Sequence, residues 1–247
     1  MTTDHEAVRQ QMDSGIESLV LRYETIRQFS TPEKILRSTM DIRSLDLGVI
    51  TLEQYRYVAR RTSQGDQLFR RHLHKLMQVL PAMLEKNRSI RCVSIPAYGR
   101  LLRNGLLSKM LFEELSATPS VSASNICVEL STDFLFEEDL KELAKELFRV
   151  RSLGVPVALM ELGDPFCPVL RLFDVPFDYA ILDSYAVSAG NERQDELLMG
   201  LCSLLHTGKV LVFAPGLREE GQISRVQRLG CDGYSLANEE KTTEDEE

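Results

Sequence analysis

The chain has 247 residues, of which 43% are hydrophobic and 27% are charged, so it can bury one barrel-sized core but not a second full domain. A formal net charge of −8 argues against a protein that binds nucleic acid by neutralising phosphates. Much of the acidic excess lies in the segment Glu239 to Glu247, which has no apolar residue and cannot pack into a core.

Five cysteines are scattered along the chain without C-x-x-C spacing. Because their number is odd and most lie in apolar runs, we expect buried free thiols in a reducing cytoplasm. No stretch is long and apolar enough to cross a bilayer, and residues 1–15 lack a hydrophobic signal region. The sequence therefore predicts a soluble cytoplasmic protein with no membrane or nucleic-acid partner and no cofactor.

Residues 1–18 are interpreted as a polar leader whose only strong apolar anchors are Val8 and Met12. The elements that follow are identified from apolar alternation, which indicates strands, and from apolar residues at helical spacing, which indicate helices. In chain order, we predict strands at Leu19–Ile26, Ile35–Ile42 and Arg91–Ile95 and helices at Glu53–Thr62, Asp66–Leu84 and Leu106–Leu115.

The long helix predicted over Asp66–Leu84 belongs to a basic region, with Arg60 and Arg61 just before it and Lys75 within it. One interpretation is a site for an acidic partner or a phosphate; the favoured one is an ordinary mixed-charge helix face. His72 and His74 are two residues apart and point to different sides of a helix, so they do not form a metal-binding pair.

The centre of the chain reads as strand, helix, strand. Ile126–Ser131 and Val155–Gly163 are apolar runs that carry Glu129 and Glu161 near their ends, and the segment Glu137–Leu153 between them is amphipathic. Such a helix crosses over between two parallel strands, so both carboxylates should lie at the same edge of the sheet. In an α/β barrel, that edge is where chemistry takes place.

The remaining segments continue the alternation of strand and helix. Lys209–Ala214 has no polar alternation, as expected for a parallel strand buried on both faces. The last predicted elements are strands at Phe177–Leu182, Lys209–Ala214 and Gly233–Leu236 and helices at Glu192–His206 and Gln222–Leu229. About eight strands result, which predicts an α/β fold of the (β/α)8 TIM-barrel type over residues 19–238, with the final helix shortened or missing and residues 239–247 as an acidic tail.

The order and spacing of these segments resemble the EAL-domain family, the barrel phosphodiesterases that open the bacterial messenger cyclic di-GMP. The resemblance covers Leu19 to about Ala237 and includes Gln222, a glutamine that the family usually has in this helix. The segments that carry it are I-C-V-E-L-S, V-A-L-M-E-L-G, Y-A-I-L-D, V-F-A-P-G-L-R and G-C-D.

Active family members hold two divalent metals with carboxylates, an asparagine and a bridging aspartate, and place a lysine near the attacking water. Two dications held about 3.5–4 Å apart need many anionic oxygen ligands. By position, the family's functional residues correspond here to Thr39, Ser94, Glu129, Thr132, Met160, Glu161, Ile181, Pro215, Arg218 and Ser235, while the arginine of its E-A-L segment corresponds to Arg43. Only two of these are carboxylates, so the resemblance implies a degenerate site without metal or catalysis. A shifted alignment would offer Asp41 or Asp46 in place of Thr39.

Each retained polar residue has a functional and a structural interpretation. Glu129 is either a remnant ligand or, preferably, a strand-end carboxylate bonded to Arg218 or a backbone amide. Glu161 is a base or, preferably, the partner of a cation at the barrel mouth. Arg43 clamps a phosphate or pairs internally with Glu129, with neither favoured. Asp183 is expected to cap or orient a loop.

These observations favour a catalytically inactive EAL-like regulator that acts by binding a protein in a bacterial signalling circuit. The alternatives are a receptor that binds cyclic di-GMP without cleaving it and, last, a weak phosphodiesterase. If the nucleotide binds, we expect Arg43, Glu129, Glu161 and Asp183 to contact it, although this binding is not the favoured outcome. Candidate protein-binding surfaces are the basic region from Arg60 to Lys75 and the face left by the missing final helix, where a homodimer is also considered.

Overall fold

The computed structural model describes residues 5–14, 16–44, 46–164, 167–188, 190–237, 239 and 241–242. Ten strands are assigned within these ranges. They are β1 Ile16–Gln28, β2 Lys34–Ser44, β3 Gly48–Ile50, β4 Ile90–Ala97, β5 Ile126–Ser131, β6 Val157–Leu162, β7 Tyr179–Leu182, β8 Leu211–Leu217, β9 Gly233–Leu236 and β10 Lys241–Thr242.

Eight of these strands close into a barrel in the order β1-β2-β4-β5-β6-β7-β8-β9, with β9 pairing back onto β1. The predicted fold class is confirmed. Strict alternation of strand and helix was wrong at one step, because β1 leads directly into β2 and lies antiparallel to both of its barrel neighbours. Connections between parallel strands need a long crossover, whereas residues 29–33 are enough to join an antiparallel pair.

The helices surround the barrel. They are α1 His5–Ser14, α2 Leu52–Arg61, α3 Ser63–Lys86, α4 Leu106–Ala117, α5 Leu140–Ser152, α6 Ser184–Ser188, α7 Glu192–Thr207 and α8 Glu220–Arg228. Helix α1 includes the two anchors expected from the sequence, since Val8 and Met12 are both buried in the main core. Within the described ranges, no helix combines the length and the apolar character that a bilayer crossing requires.

The helical layer is interrupted between β6 and β7. In the described part of this connection, the chain forms a short 3-10 turn, Val169–Asp174, where the neighbouring connections carry full helices. The sequence analysis instead predicted that the shortened or missing helix would be the final one, after the last strand. There, the described residues form β10, which pairs with β1, and residues 243–247 of the predicted acidic tail lie outside the described residues.

The interior of the barrel holds its own apolar cluster, separate from the core between strands and helices. Its buried members are Ile26, Ile35, Cys92, Cys127, Ala158, Tyr179, Ile181 and Phe213. Four of the five cysteines are buried free thiols, as expected, while Cys167 is only partly buried. Burial raises the pKa of Cys92 to about 12 and also raises the pKa of Cys127.

Candidate functional site

A polar cluster lies above this apolar plug, towards the carboxyl ends of the parallel strands. Arg37 of β2 is two residues beyond Ile35 and therefore faces the same interior. The strand register places Glu24 of β1 directly opposite Arg37 on one side and Ser94 of β4 opposite it on the other. The barrel interior thus changes from apolar to charged within one step along the strands.

Arg37 is the centre of this cluster. Its Nε and one terminal nitrogen donate hydrogen bonds of 2.9 and 3.2 Å to the two carboxylate oxygens of Glu129. Its other terminal nitrogen donates to Glu24 at 2.6 Å, and the guanidinium also lies 3.4 Å from the sulfur of Met160. The guanidinium is therefore held on three sides by strands β1, β5 and β6.

Two serine hydroxyls complete the network. Ser94 donates to Glu129, and Ser235 of β9 donates to Glu24. Ser235 also accepts a hydrogen bond from the backbone nitrogen of Gly216 at 3.1 Å. Because the Glu129 side chain is only 2% exposed, its oxygens depend on these protein partners for their hydrogen bonds.

The electrostatics of Arg37 follow from these contacts. Burial by itself would lower the pKa of Arg37, but the charges and hydrogen bonds of Glu129 and Glu24 outweigh burial and raise this pKa above its ordinary value. Arg37 is therefore a permanent cation inside the barrel. We call Arg37, Glu24, Glu129, Ser94 and Ser235 the Arg37 network.

The sequence analysis predicted the structural role of Glu129 correctly but named the wrong partner. Glu129 is a structural carboxylate at a strand end, but its cation is Arg37, not Arg218 or Arg43. Arg43 lies six residues further along β2 with its side chain exposed, and Arg218 is exposed while its backbone nitrogen donates to Gln222 at 2.8 Å. A signal for Arg37 was present, since it is a charged residue in phase with Ile35 on a barrel strand.

Glu161 lies at the mouth, as expected, beside cations. Its carboxylate is 3.1 Å from a nitrogen of Arg56 and 3.6 Å from a nitrogen of Arg60, and it also accepts a hydrogen bond from Ser131. The backbone of Glu161 has φ +63, a left-handed conformation that is costly for a non-glycine residue. This turn directs the side chain to α2 and not into the Arg37 network.

Asp183 acts as the expected loop cap. One of its carboxylate oxygens accepts a hydrogen bond of 2.7 Å from the backbone nitrogen of Tyr185, and its own carbonyl accepts from the nitrogen of Val187 at 3.2 Å. Both contacts hold the start of α6. Asp183 is therefore occupied in organising the turn after β7.

Three side chains of the basic region from Arg60 to Lys75 contact neighbouring carboxylates. The pairs are Arg60 with Asp133 at 3.1 Å, Arg70 with Glu113 at 3.2 Å and His74 with Glu114 at 3.2 Å. These contacts support the interpretation as an ordinary mixed-charge face. His72 is instead buried, 2.9 Å from Ser38, and burial lowers the pKa of its imidazole to about 3. The two histidines do lie on different sides of α3.

A family comparison decides the identity of this barrel. The model of the EAL domain matches residues 5–235, which is nearly the whole chain. The chain belongs to the EAL-domain family.

Known proteins similar to this EAL domain include an uncharacterized signaling protein of Caulobacter vibrioides. It is 26% identical over 131 residues, which make up 51% of this chain and only 16% of that relative. Among solved structures, the PaMucR phosphodiesterase in complex with c-di-GMP has a TM-score of 0.82 at 17% identity, covering 98% of both chains.

Two further EAL structures are similar to this chain. The FimX EAL domain from Pseudomonas aeruginosa bound to c-di-GMP has a TM-score of 0.79 at 14% identity, covering 94% of this chain and 93% of that one. An EAL domain protein from Listeria monocytogenes EGD-e has a TM-score of 0.74 at 13% identity, covering 98% of this chain and 94% of that one. At these identities, the solved structures show the shared fold alone.

The carboxylates that the sequence analysis offered as metal ligands at Asp41, Asp46 and Glu129 have partners within this EAL domain. Among the residues that the structure describes, no three His, Cys, Asp or Glu side chains come together as metal ligands. Asp41, the alternative ligand from a shifted alignment, is buried and pairs with Arg22. Asp46, the other alternative, accepts a hydrogen bond from Gln11 at 2.7 Å. Glu129 is already bound by Arg37.

Proposed function

We propose that this EAL-domain protein does not cleave cyclic di-GMP and regulates a bacterial signalling circuit by binding another protein. The observation that carries the proposal is the buried ion pair between Arg37 and Glu129. In active relatives, as the sequence resemblance implies, the glutamate at this position is a metal ligand. Here its two oxygens both accept hydrogen bonds from a guanidinium.

Charge magnitudes support this reading. At an effective dielectric constant of about 20, a dication about 4 Å from the guanidinium is repelled by about 8 kcal/mol. This repulsion cancels the attraction between the dication and one carboxylate at the same distance. Glu24 and Glu129 with Arg37 carry a net charge of −1, whereas two dications carry +4. The Arg37 network therefore supplies its own cation in a place where cleavage would need metal ions.

The barrel around this network is intact, which supports a role as a scaffold. Met160 and Ile181 replace groups that the resemblance assigns to catalysis, and both contribute to the apolar cluster inside the barrel. A barrel with an intact buried core can present a defined protein surface even if the residues at its mouth do not catalyse a reaction. Binding of a protein partner is the use of such a surface that we favour.

The second candidate is a receptor that binds cyclic di-GMP without cleaving it. Arg43 is exposed near the carboxyl end of β2, and Arg56 and Arg60 lie at the same mouth, where phosphate groups would find guanidinium donors. Two of the similar solved structures are EAL proteins with c-di-GMP bound. This candidate requires binding without turnover.

Calorimetry and a turnover assay separate these functions. The whole chain is titrated with cyclic di-GMP and, separately, incubated with the dinucleotide and manganese. We expect neither heat of binding nor linear product formation. Saturable heat without product would replace our proposal by the receptor, and linear product formation that is abolished in Glu129→Ala would establish a phosphodiesterase.

The protein-binding part needs a test of its own. The immobilised chain is used to capture proteins from a bacterial lysate, and each captured protein is purified and titrated back by calorimetry. We expect one protein to bind with defined stoichiometry, with or without cyclic di-GMP present. Failure of every purified candidate to bind would overturn this part of the proposal.

A further inference from the structure

Two thiols meet in the core between the barrel strands and the outer helices. Cys202 lies in the second half of α7 and is 1% exposed, while Cys231 lies just before β9 and is 5% exposed. A hydrogen bond joins the two side chains, and both cysteines are free thiols. We call these residues the Cys202–Cys231 pair.

The backbone holds the two thiols in fixed places. Directly after α8, the nitrogen of Cys231 donates a hydrogen bond of 3.0 Å to the carbonyl oxygen of Val226. Gly230, with a left-handed φ of +95, completes the Schellman turn that this bond forms. A Cβ on Gly230 would lie 3.3 Å from the Cβ of Cys202, so α7 packs directly against this turn. The thiols therefore meet where two well-ordered segments are in contact.

The same two segments also meet at the surface. His206 is one helical turn after Cys202, and Asp232 follows Cys231 directly. The Nε2 atom of His206 lies 2.9 Å from a carboxylate oxygen of Asp232, and the His206 side chain is 40% exposed. The Cys202–Cys231 pair is thus close to the protein surface, although its own exposure is low.

The two thiols differ in acidity. The hydrogen bond from the Cys231 thiol lowers the pKa of Cys202, although burial opposes this change. The same hydrogen bond, together with burial, raises the pKa of Cys231. Cys92 and Cys127 are buried too, but burial raises the pKa of both thiols. Because the thiolate is the reactive form of cysteine, Cys202 is the more nucleophilic member of its pair.

We propose that the Cys202–Cys231 pair is a reversible oxidation site, at which a hydroperoxide converts the two thiols into a disulfide that fastens α7 to the turn before β9. Disulfides of reducing compartments are usually transient and serve as sensors or catalysts. The inference is independent of what the barrel mouth binds.

The chemistry takes two steps. The sulfur of Cys202 attacks the hydroperoxide and breaks its O–O bond, so that Cys202 becomes a sulfenic acid and an alcohol or water leaves. The sulfur of Cys231 then attacks this sulfur, and water leaves as the disulfide forms. The two thiols lose two electrons and two protons, which the hydroperoxide takes up. Two molecules of a monothiol such as glutathione reverse the oxidation and become a disulfide themselves.

Peptide mapping of the whole wild-type chain tests the proposal. The folded protein is treated with hydrogen peroxide, unfolded in N-ethylmaleimide to block the remaining thiols, and digested with trypsin. We expect the fragments of residues 194–209 and 229–241 to be linked, and dithiothreitol to separate them. The disulfide closes a loop of about 30 residues, so the oxidised chain should unfold about 5–10 °C higher than the reduced chain.

Single variants identify the attacking thiol. In Cys231→Ser, oxidation of Cys202 should stop at the sulfenic acid, which dimedone labels. In Cys202→Ser, dimedone should label Cys231 at least about 10-fold more slowly, because this thiol is buried and no longer has a thiolate beside it. The control Cys167→Ser removes the partly buried thiol and should leave the linked fragments unchanged.

Three results would overturn the proposal. The first is the absence of linked fragments at a peroxide concentration that oxidises Cys167. The second is a disulfide between other cysteines of the folded chain. The third is a linked pair that leaves the unfolding temperature unchanged, since the disulfide would then not fasten α7. Equal labelling of the two single variants would reject Cys202 as the attacking thiol.

Discussion

Arg37 and Glu129 lie 92 residues apart in the sequence and share two hydrogen bonds in the middle of the barrel, at 2.9 and 3.2 Å. The Glu129 side chain is 2% exposed and that of Arg37 is 11% exposed. A carboxylate buried to this degree depends on its cation, so removal of Arg37 should destabilise the barrel.

The first prediction concerns this pair. Replacement of the cation in Arg37→Met leaves Glu129 and Glu24 without their shared partner, and we expect the free energy of unfolding to fall by about 3–5 kcal/mol. Urea denaturation followed by circular dichroism measures this change. The control Arg70→Met removes an exposed pair with Glu113 and should cost less than about 1 kcal/mol. Equal losses in both variants would contradict the prediction.

The second prediction concerns pH. Burial lowers the pKa of His72 from 6.5 to about 3, so the imidazole is neutral in the folded chain and gains its proton only on unfolding. A lowered folded pKa means that stability is fully present above about pH 6.5 and is lost as the pH falls towards 3. Between pH 7 and pH 5, His72 should remove about 2 kcal/mol of stability.

The variant His72→Gln isolates this contribution, because glutamine keeps a polar group near Ser38 but does not titrate. Urea denaturation at pH 7 and pH 5 should show a smaller pH-dependent loss in the variant than in the wild type. Identical losses would mean that His72 is protonated in the folded protein. The exposed variant His74→Gln serves as the control, since His74 lies on the outer side of α3.

The third prediction concerns closure of the barrel. At Gly233 of β9, a Cβ would lie 2.1 Å from the carbonyl oxygen of Arg27 in β1, so Gly233→Ala forces these two strands apart. We expect a loss of about 1–3 kcal/mol or more in the free energy of unfolding. At Gly221 in α8, where a Cβ meets nothing within 4 Å, alanine should be neutral or slightly stabilising. Chemical denaturation of both variants checks the contrast.

The fourth prediction concerns the thiols. Four cysteines are buried, whereas Cys167 is only partly buried. Ellman's reagent should therefore modify one thiol of the native chain much faster than the others, and Cys167→Ser should remove this fast phase. The remaining thiols should react only after unfolding in urea. Two or more fast thiols in the native protein would show that the barrel opens more readily than its packing indicates.

The sequence by itself determined the barrel and its family. Apolar alternation and helical spacing are local properties, and they located the eight strands without reference to distant residues. The resemblance to the EAL family adds the prediction that Met160, Ile181 and Pro215 stand at the positions of metal ligands and a catalytic lysine. Glu161 and Asp183 were also interpreted correctly, because each carboxylate is held close to where its strand ends.

Only the tertiary structure decided which charges meet. The partner of Glu129 depends on how β2 and β5 are placed around a closed ring, and no local pattern gives that register. The direction of β1 likewise depends on how this ring of strands closes. Long-range pairing is set by barrel closure and burial, and these are properties of the whole chain.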